Sequence, residues 1–178
     1  MIFNDRQYAV VNGLAFQLSW PMCVLGGNRV AVITTIVFLI FHLATVREKR
    51  TELIFLSSAG TMGFMFDLAL LKIGLLQSAT AVQPLWMICL WFLFATTIGY
   101  AMHWFQKHLL VSALFAGIFA PLSYSVGAGL TDIDMMVPTW LSLVGIGAAW
   151  AIVLPCLLLL RESIVERLAI NRTLEILS

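Results

Sequence analysis

Charge is scarce in this chain, and the scarcity settles its solvent before any motif is considered. Only 11% of the residues are charged and 61% are hydrophobic, with a mean hydropathy of +0.99. Soluble domains carry about 25% charged residues, and a chain this apolar would expose oily surface on every side in water. Lipid is therefore the expected solvent. The net charge of +1 supplies no concentrated basic face, which argues against nucleic acid as a partner. Cysteine is sparse too: Cys23, Cys89 and Cys156 lie in separate apolar runs without CxxC spacing. They read as buried free thiols, and no metal site is expected. Also missing are HExxH, GxSxG, a P-loop and the HxxxH or HxxHH spacings that di-iron membrane oxidases need. No cofactor is assigned. The polar and glycine patterns of the two halves do not superpose as an inverted repeat, which weakens a transporter reading.

What is present is a series of apolar runs. The hydropathy pattern predicts an all-α, polytopic membrane protein: one domain over residues 1–178, a bundle of six transmembrane helices. The spans fall at about 8–27, 30–46, 53–76, 82–105, 109–130 and 135–160, each long enough to cross or nearly cross a bilayer. Gly26-Gly27-Asn28 is a turn signal between the first two. Residues 161–178 read as a charged tail able to lie on the membrane surface. With six spans both termini share a side. That side holds Arg6, Arg47, Lys49, Arg50, Lys107, Arg161, Arg167 and Arg172, against Arg29 and Lys72 on the other. The positive-inside rule then places both termini in the cytoplasm.

One ionisable residue stands far from any span end. Asp67 lies within the apolar run Leu53–Leu76, where a carboxylate costs roughly 2.5–3.5 kcal/mol on insertion scales unless it finds a partner, a proton or a wet cavity. Gly60, Gly63, Asp67, Leu71 and Gly74 share a helical stripe, and small residues mark helix contacts in membranes. Asp67 is expected to face protein, with Tyr124 or Arg29 as a partner and Lys72 snorkelling outward. At ~1.5 Å rise per residue, Asn12, His42 and His103 come out ~3–8 Å from the inner boundary, Asp67 and Tyr124 at ~20–23 Å, and Gln17 and Trp20 between ~13 and 18 Å. In the fourth span Cys89, Leu93, Thr96, Tyr100 and His103 form one inward stripe. Trp86, Trp104 and Trp140 suit the interface, whereas Trp20 and Trp91 are deep enough to line a cavity.

Several stretches together resemble one bacterial membrane family. They are Asn12-x3-Phe16-Gln17-x2-Trp20, His42 before the basic loop, Gly63-x3-Asp67 with Gly74, Pro84-Leu85-Trp86, Leu90-Trp91-Phe92-x-Phe94-Ala95-Thr96-Thr97, and Pro121-Leu122-Ser123-Tyr124-x2-Gly127. In order and spacing these are similar to the family catalogued as domain of unknown function 2878, over about Asn12 to Leu160. The resemblance implies a multi-pass protein of the bacterial inner membrane with no assigned reaction. Such proteins are often encoded beside lipid-modifying enzymes, which implies membrane lipids, and a lipid-modifying enzyme, as partners.

The functional expectation is an enzyme or accessory factor acting on a lipid or other apolar substrate between helices one, three, four and five. Asp67, His42 and His103 are the candidate catalytic residues. Asn12, Gln17, Trp20, Trp91, Thr96, Tyr100 and Tyr124 are the candidate substrate contacts. The alternatives are a small proton-coupled carrier or channel titrating at Asp67, and a structural partner whose polar groups only fix helix packing.

Overall fold

A computed structural model describes residues 4–79 and 82–177. In chain order it contains α1 (Asp5–Thr45), α2 (Lys49–Lys72), β1 (Leu76–Ser78), α3 (Leu85–Ile98), a 3-10 turn (His103–Lys107), α4 (Leu109–Leu130), β2 (Ile133–Met135) and α5 (Thr139–Leu177). The all-α reading holds, and four of the helices, α1, α2, α4 and α5, are long and apolar enough to cross a membrane. Their outer faces carry exposed Leu18, Leu25 and Ile40 on α1, Leu110 and Leu114 on α4, and Val144 and Ile152 on α5. That distribution suits hydrocarbon as solvent.

Six separate helices were expected, and the described residues form five α-helices. The first two spans form the single element α1, interrupted at Gly27, whose backbone sits at φ 65°, ψ −168°. Glycine alone enters that region without a Cβ penalty. The chain turns back there. The Tyr8 hydroxyl lies 2.6 Å from His42 Nδ1, whereas a straight helix would separate residues 34 apart by about 51 Å. α1 is thus a tight hairpin of two arms, opened by a reciprocal cap in which Asn4 Oδ1 accepts from the Gln7 amide and Gln7 Oε1 from the Asn4 amide.

Other boundaries also differ from the hydropathy reading. α2 begins at Lys49 rather than Leu53, so the charged cluster 49–52 is helical. It ends at Lys72; Gly74, at φ 82°, belongs to the turn beyond and not to the helix-contact stripe. α3 covers only residues 85–98 of the expected 82–105. Pro84 stands at its N-cap, and near its end the Thr96 and Thr97 hydroxyls bond back to the Leu93 and Phe94 carbonyls, competing with the helix ladder. α5 runs unbroken past Leu160, so residues 161–177 continue the helix instead of forming a separate surface segment. The loops read at 77–80 and 131–134 contribute β1 and β2, an antiparallel pair matching Leu76 with Met135; Thr80 lies outside the described residues. Ser142 ties this pair to α5 by accepting from the Met136 amide and donating to the Leu75 carbonyl.

Packing centres on α3, which is wrapped by α1 and α2, and on α4 against α5. Phe55, Leu93, Ile98, Ile146, Leu154 and Leu157 are fully buried. α4 and α5 come close at Gly117 and Gly147, where a Cβ on Gly147 would press on the Gly117 carbonyl. All three cysteines are free; Cys23 and Cys89 are buried, but Cys156 is exposed on α5.

Candidate functional site

Asp67 faces inward on the stripe with Gly60 and Gly63, and it is 1% exposed. The two glycines serve α3 by leaving its aromatic rings room to lie on the α2 backbone. A Cβ at Gly60 would meet the Phe92 ring, and one at Gly63 would fall inside the Trp91 indole. With Trp91 seated there, its N–H donates to Asp67 Oδ2 at 2.7 Å. The Tyr124 hydroxyl of α4 donates to Oδ1 at 2.5 Å. Trp150 of α5 stacks on Trp91, with centroids 5.0 Å apart and planes 9° from parallel. Three helices thus meet at one carboxylate, and α5 backs the group through the Trp150–Trp91 stack. Arg29, the charged partner the sequence offered as an alternative, and Lys72 are both exposed.

Beside this carboxylate is a cavity of about 530 Å³. Phe16, Gln17 and Trp20 line it from the first arm of α1, Trp86 to Phe94 from α3, Phe115 to Ala128 from α4, and Trp150 and Leu154 from α5. α1 and α4 scarcely touch, so the cavity occupies the gap between them. Its α4 wall includes Phe119, Leu122 and Val126, each more than half exposed. The cavity therefore runs out sideways to the apolar surface. Asp67 is the one ionisable carboxylate in its lining, and no Lys, Arg or His lines it among the described residues.

A second polar cluster lies about 22 Å away, fifteen residues back along α2. Glu52 is 2% exposed and accepts from Arg161 Nη1 and Nη2 at 3.2 and 2.5 Å, from the Tyr100 hydroxyl at 2.8 Å, and from His42 Nε2 at 3.2 Å. With Nε2 carrying a proton toward Glu52, His42 Nδ1 is left to accept from the Tyr8 hydroxyl. The Arg161 guanidinium rests over Gly99, 5.1 Å from the Phe55 centroid and 5.5 Å from that of Tyr100. A cleft of about 210 Å³ opens beside the cluster, lined by Tyr8, Arg47 and Glu48 among others. At its rim Arg172 pairs with Glu48, and that guanidinium holds the exposed Glu48 carboxyl below its usual range.

The family model described as "Protein of unknown function (DUF2878)" matches residues 9–156. The chain belongs to that family. No curated protein and no solved structure matches it.

The residues singled out from sequence divide between two places in this DUF2878 chain. Asp67, Trp91 and Tyr124 meet directly, and Gln17 and Trp20 line the adjoining cavity, Gln17 from an exposed position. His42 and Tyr100 belong to the distant Glu52 cluster instead. Asn12 donates to Thr96 at 3.2 Å, a buried pair between α1 and α3. His103 joins neither group: it is exposed on the 3-10 turn, because α3 ends before the inward stripe reaches it.

Four participants escaped the sequence reading. Tyr8, Glu52 and Arg161 fell outside it because they were assigned to span ends, a loop and a tail. Glu52 was nonetheless on the Asp67 stripe, through steps 52, 56, 59, 63 and 67. Trp150 shares a similar stripe with Ile146, Leu154 and Leu157, all buried.

Proposed function

We propose that this protein crosses the bacterial inner membrane six times with both termini in the cytoplasm, and that it acts on a lipid chain or other apolar molecule held in the cavity beside Asp67. Two of the six crossings are the arms of α1, and the shortest is α3, which the 3-10 turn behind it extends. The cytoplasmic face is the end bearing Glu52, Arg161 and the basic loop, and the β1–β2 pair faces the other side. One observation carries the functional reading: an apolar cavity of about 530 Å³, within the size range of small-molecule sites, has a single carboxylate in its wall. Asp67 acts there as an acid/base or orienting group, with Tyr124 and Trp91 fixing its two oxygens. Buried carboxylates in clefts are where proton transfer is commonly arranged. The protein is then an enzyme, or an accessory factor to a lipid-modifying one.

Lipid analysis of a deletion strain tests this. The expected result is a changed acyl or headgroup species, restored by the wild-type chain and not by Asp67→Asn at matched abundance. Full restoration by Asp67→Asn removes the chemical role. A second reading, purely structural, has in its favour that both Asp67 oxygens are already bonded within the protein. On that reading every phenotype of Asp67→Asn scales with the amount of protein in the membrane.

A further inference from the structure

We propose that the cavity takes a lipophilic cation: an apolar chain or ring system carrying an ammonium-type nitrogen. This deepens the reading above and rests on it.

The two buried carboxylates of this fold are treated differently. Glu52 is surrounded by Arg161, His42 and Tyr100, so its negative charge has a built-in counter-charge. Asp67, buried as deeply, receives only the neutral Tyr124 hydroxyl and Trp91 indole N–H. No ion pair reaches it among the described residues. A carboxylate far from water is held either by a proton or by a positive partner, and the space beside Asp67 has room for the second.

The walls point to the same ligand class. Nine of the residues lining the cavity are aromatic, and Trp91, Trp150, Phe94 and Tyr124 pack ring against ring beside Asp67. Aromatic faces carry negative electrostatic potential and attract quaternary ammonium groups, most strongly when both are desolvated. A neutral chain would gain from these rings only what apolar burial gives. A cation gains from the rings and from the carboxylate together. The sideways opening between α1 and α4 lets such a molecule enter from the bilayer, into which amphiphilic cations partition with the charged head at the interface.

The test uses the full-length protein in nanodiscs, with dodecyltrimethylammonium and dodecanol as matched probes, both corrected for partitioning into empty nanodiscs. Binding is read from tryptophan fluorescence. The expected result is that wild type prefers the ammonium probe by at least about tenfold, roughly one desolvated cation–π contact or more. Asp67→Asn should shrink the preference, leaving only what the rings supply, while still binding dodecanol. Should Asp67→Asn fail to fold, Trp86→Leu serves in its place, weakening the ammonium probe more than the alcohol. Equal affinity of wild type for the two probes overturns the cation assignment and leaves the apolar-ligand reading standing. Absence of binding by either probe overturns both.

Discussion

Replacing Glu52 by Gln isolates the buried ion pair that joins α2 to α5. Glutamine keeps the shape and one acceptor oxygen, but it removes the charge and turns an NH2 group toward the Arg161 guanidinium, donor facing donor. Arg161 is 7% exposed and Glu52 2%, so water from the adjoining cleft can replace only a small part of the lost interaction. Breaking a buried pair by removing one partner costs about 3–5 kcal/mol, because a charge is left uncompensated. At 1.4 kcal/mol per decade, that is roughly two to three and a half orders of magnitude in the folded-to-unfolded ratio. The double variant Glu52→Gln/Arg161→Met removes both charges and fills the guanidinium's place over Gly99 with a flexible apolar chain. Replacing both members of a buried pair is often neutral, so the double variant should return to within about 1 kcal/mol of wild type. Reversible SDS titration in mixed micelles measures all three proteins, and the cycle yields the coupling directly. A single variant within about 0.5 kcal/mol of wild type, well under the cost of an unpaired buried charge, would refute the reasoning. So would a double variant less stable than Glu52→Gln.

Other outcomes follow from the same geometry. Tyr124→Phe deletes one neutral donor to Asp67 and should cost about 0.6–1.7 kcal/mol in the same titration, the range for hydrogen bonds between membrane helices. Gly63→Ala puts a methyl where the Trp91 indole lies; overpacking of this kind costs about 1–3 kcal/mol, and a shifted Trp91 emission spectrum should accompany it. At the rim of the second cleft, Glu48 has its pKa lowered by Arg172, so the pair is intact at neutral pH and is lost as pH falls through that depressed value. The protection of amides around Arg172, taken relative to the intrinsic exchange rate at each pH, should therefore fall in acid and in molar salt, and Glu48→Gln should show the lower protection at every pH.

The inward face of Asp67 was legible in the stripe periodicity, and the depth count put Tyr124 at its level, but the chain left Arg29 open as the alternative partner and only the structure selects Tyr124. The glycines at 60 and 63 were read correctly as contact residues, although the partner they admit is a pair of aromatic rings rather than a helix backbone. The Glu52–Arg161 bond was not legible. Its members are 109 residues apart, and each sat beyond the end of an apolar run where hydropathy stops being informative. The early end of α3 was hidden for a related reason. Thr96 and Thr97 look merely polar in sequence, and only their backbonding shows where the ladder yields.

The sequence by itself determined the solvent, the helical class, the turn at Gly27 and the inward face of α2, because transfer of side chains into hydrocarbon depends on residue type and local periodicity alone. Tertiary structure decided which polar group meets which. It set Trp91 and Tyr124 against Asp67, gave Glu52 an arginine, and left an aromatic-walled gap between α1 and α4. Those choices depend on which helices become neighbours, a property that no local window of residues contains.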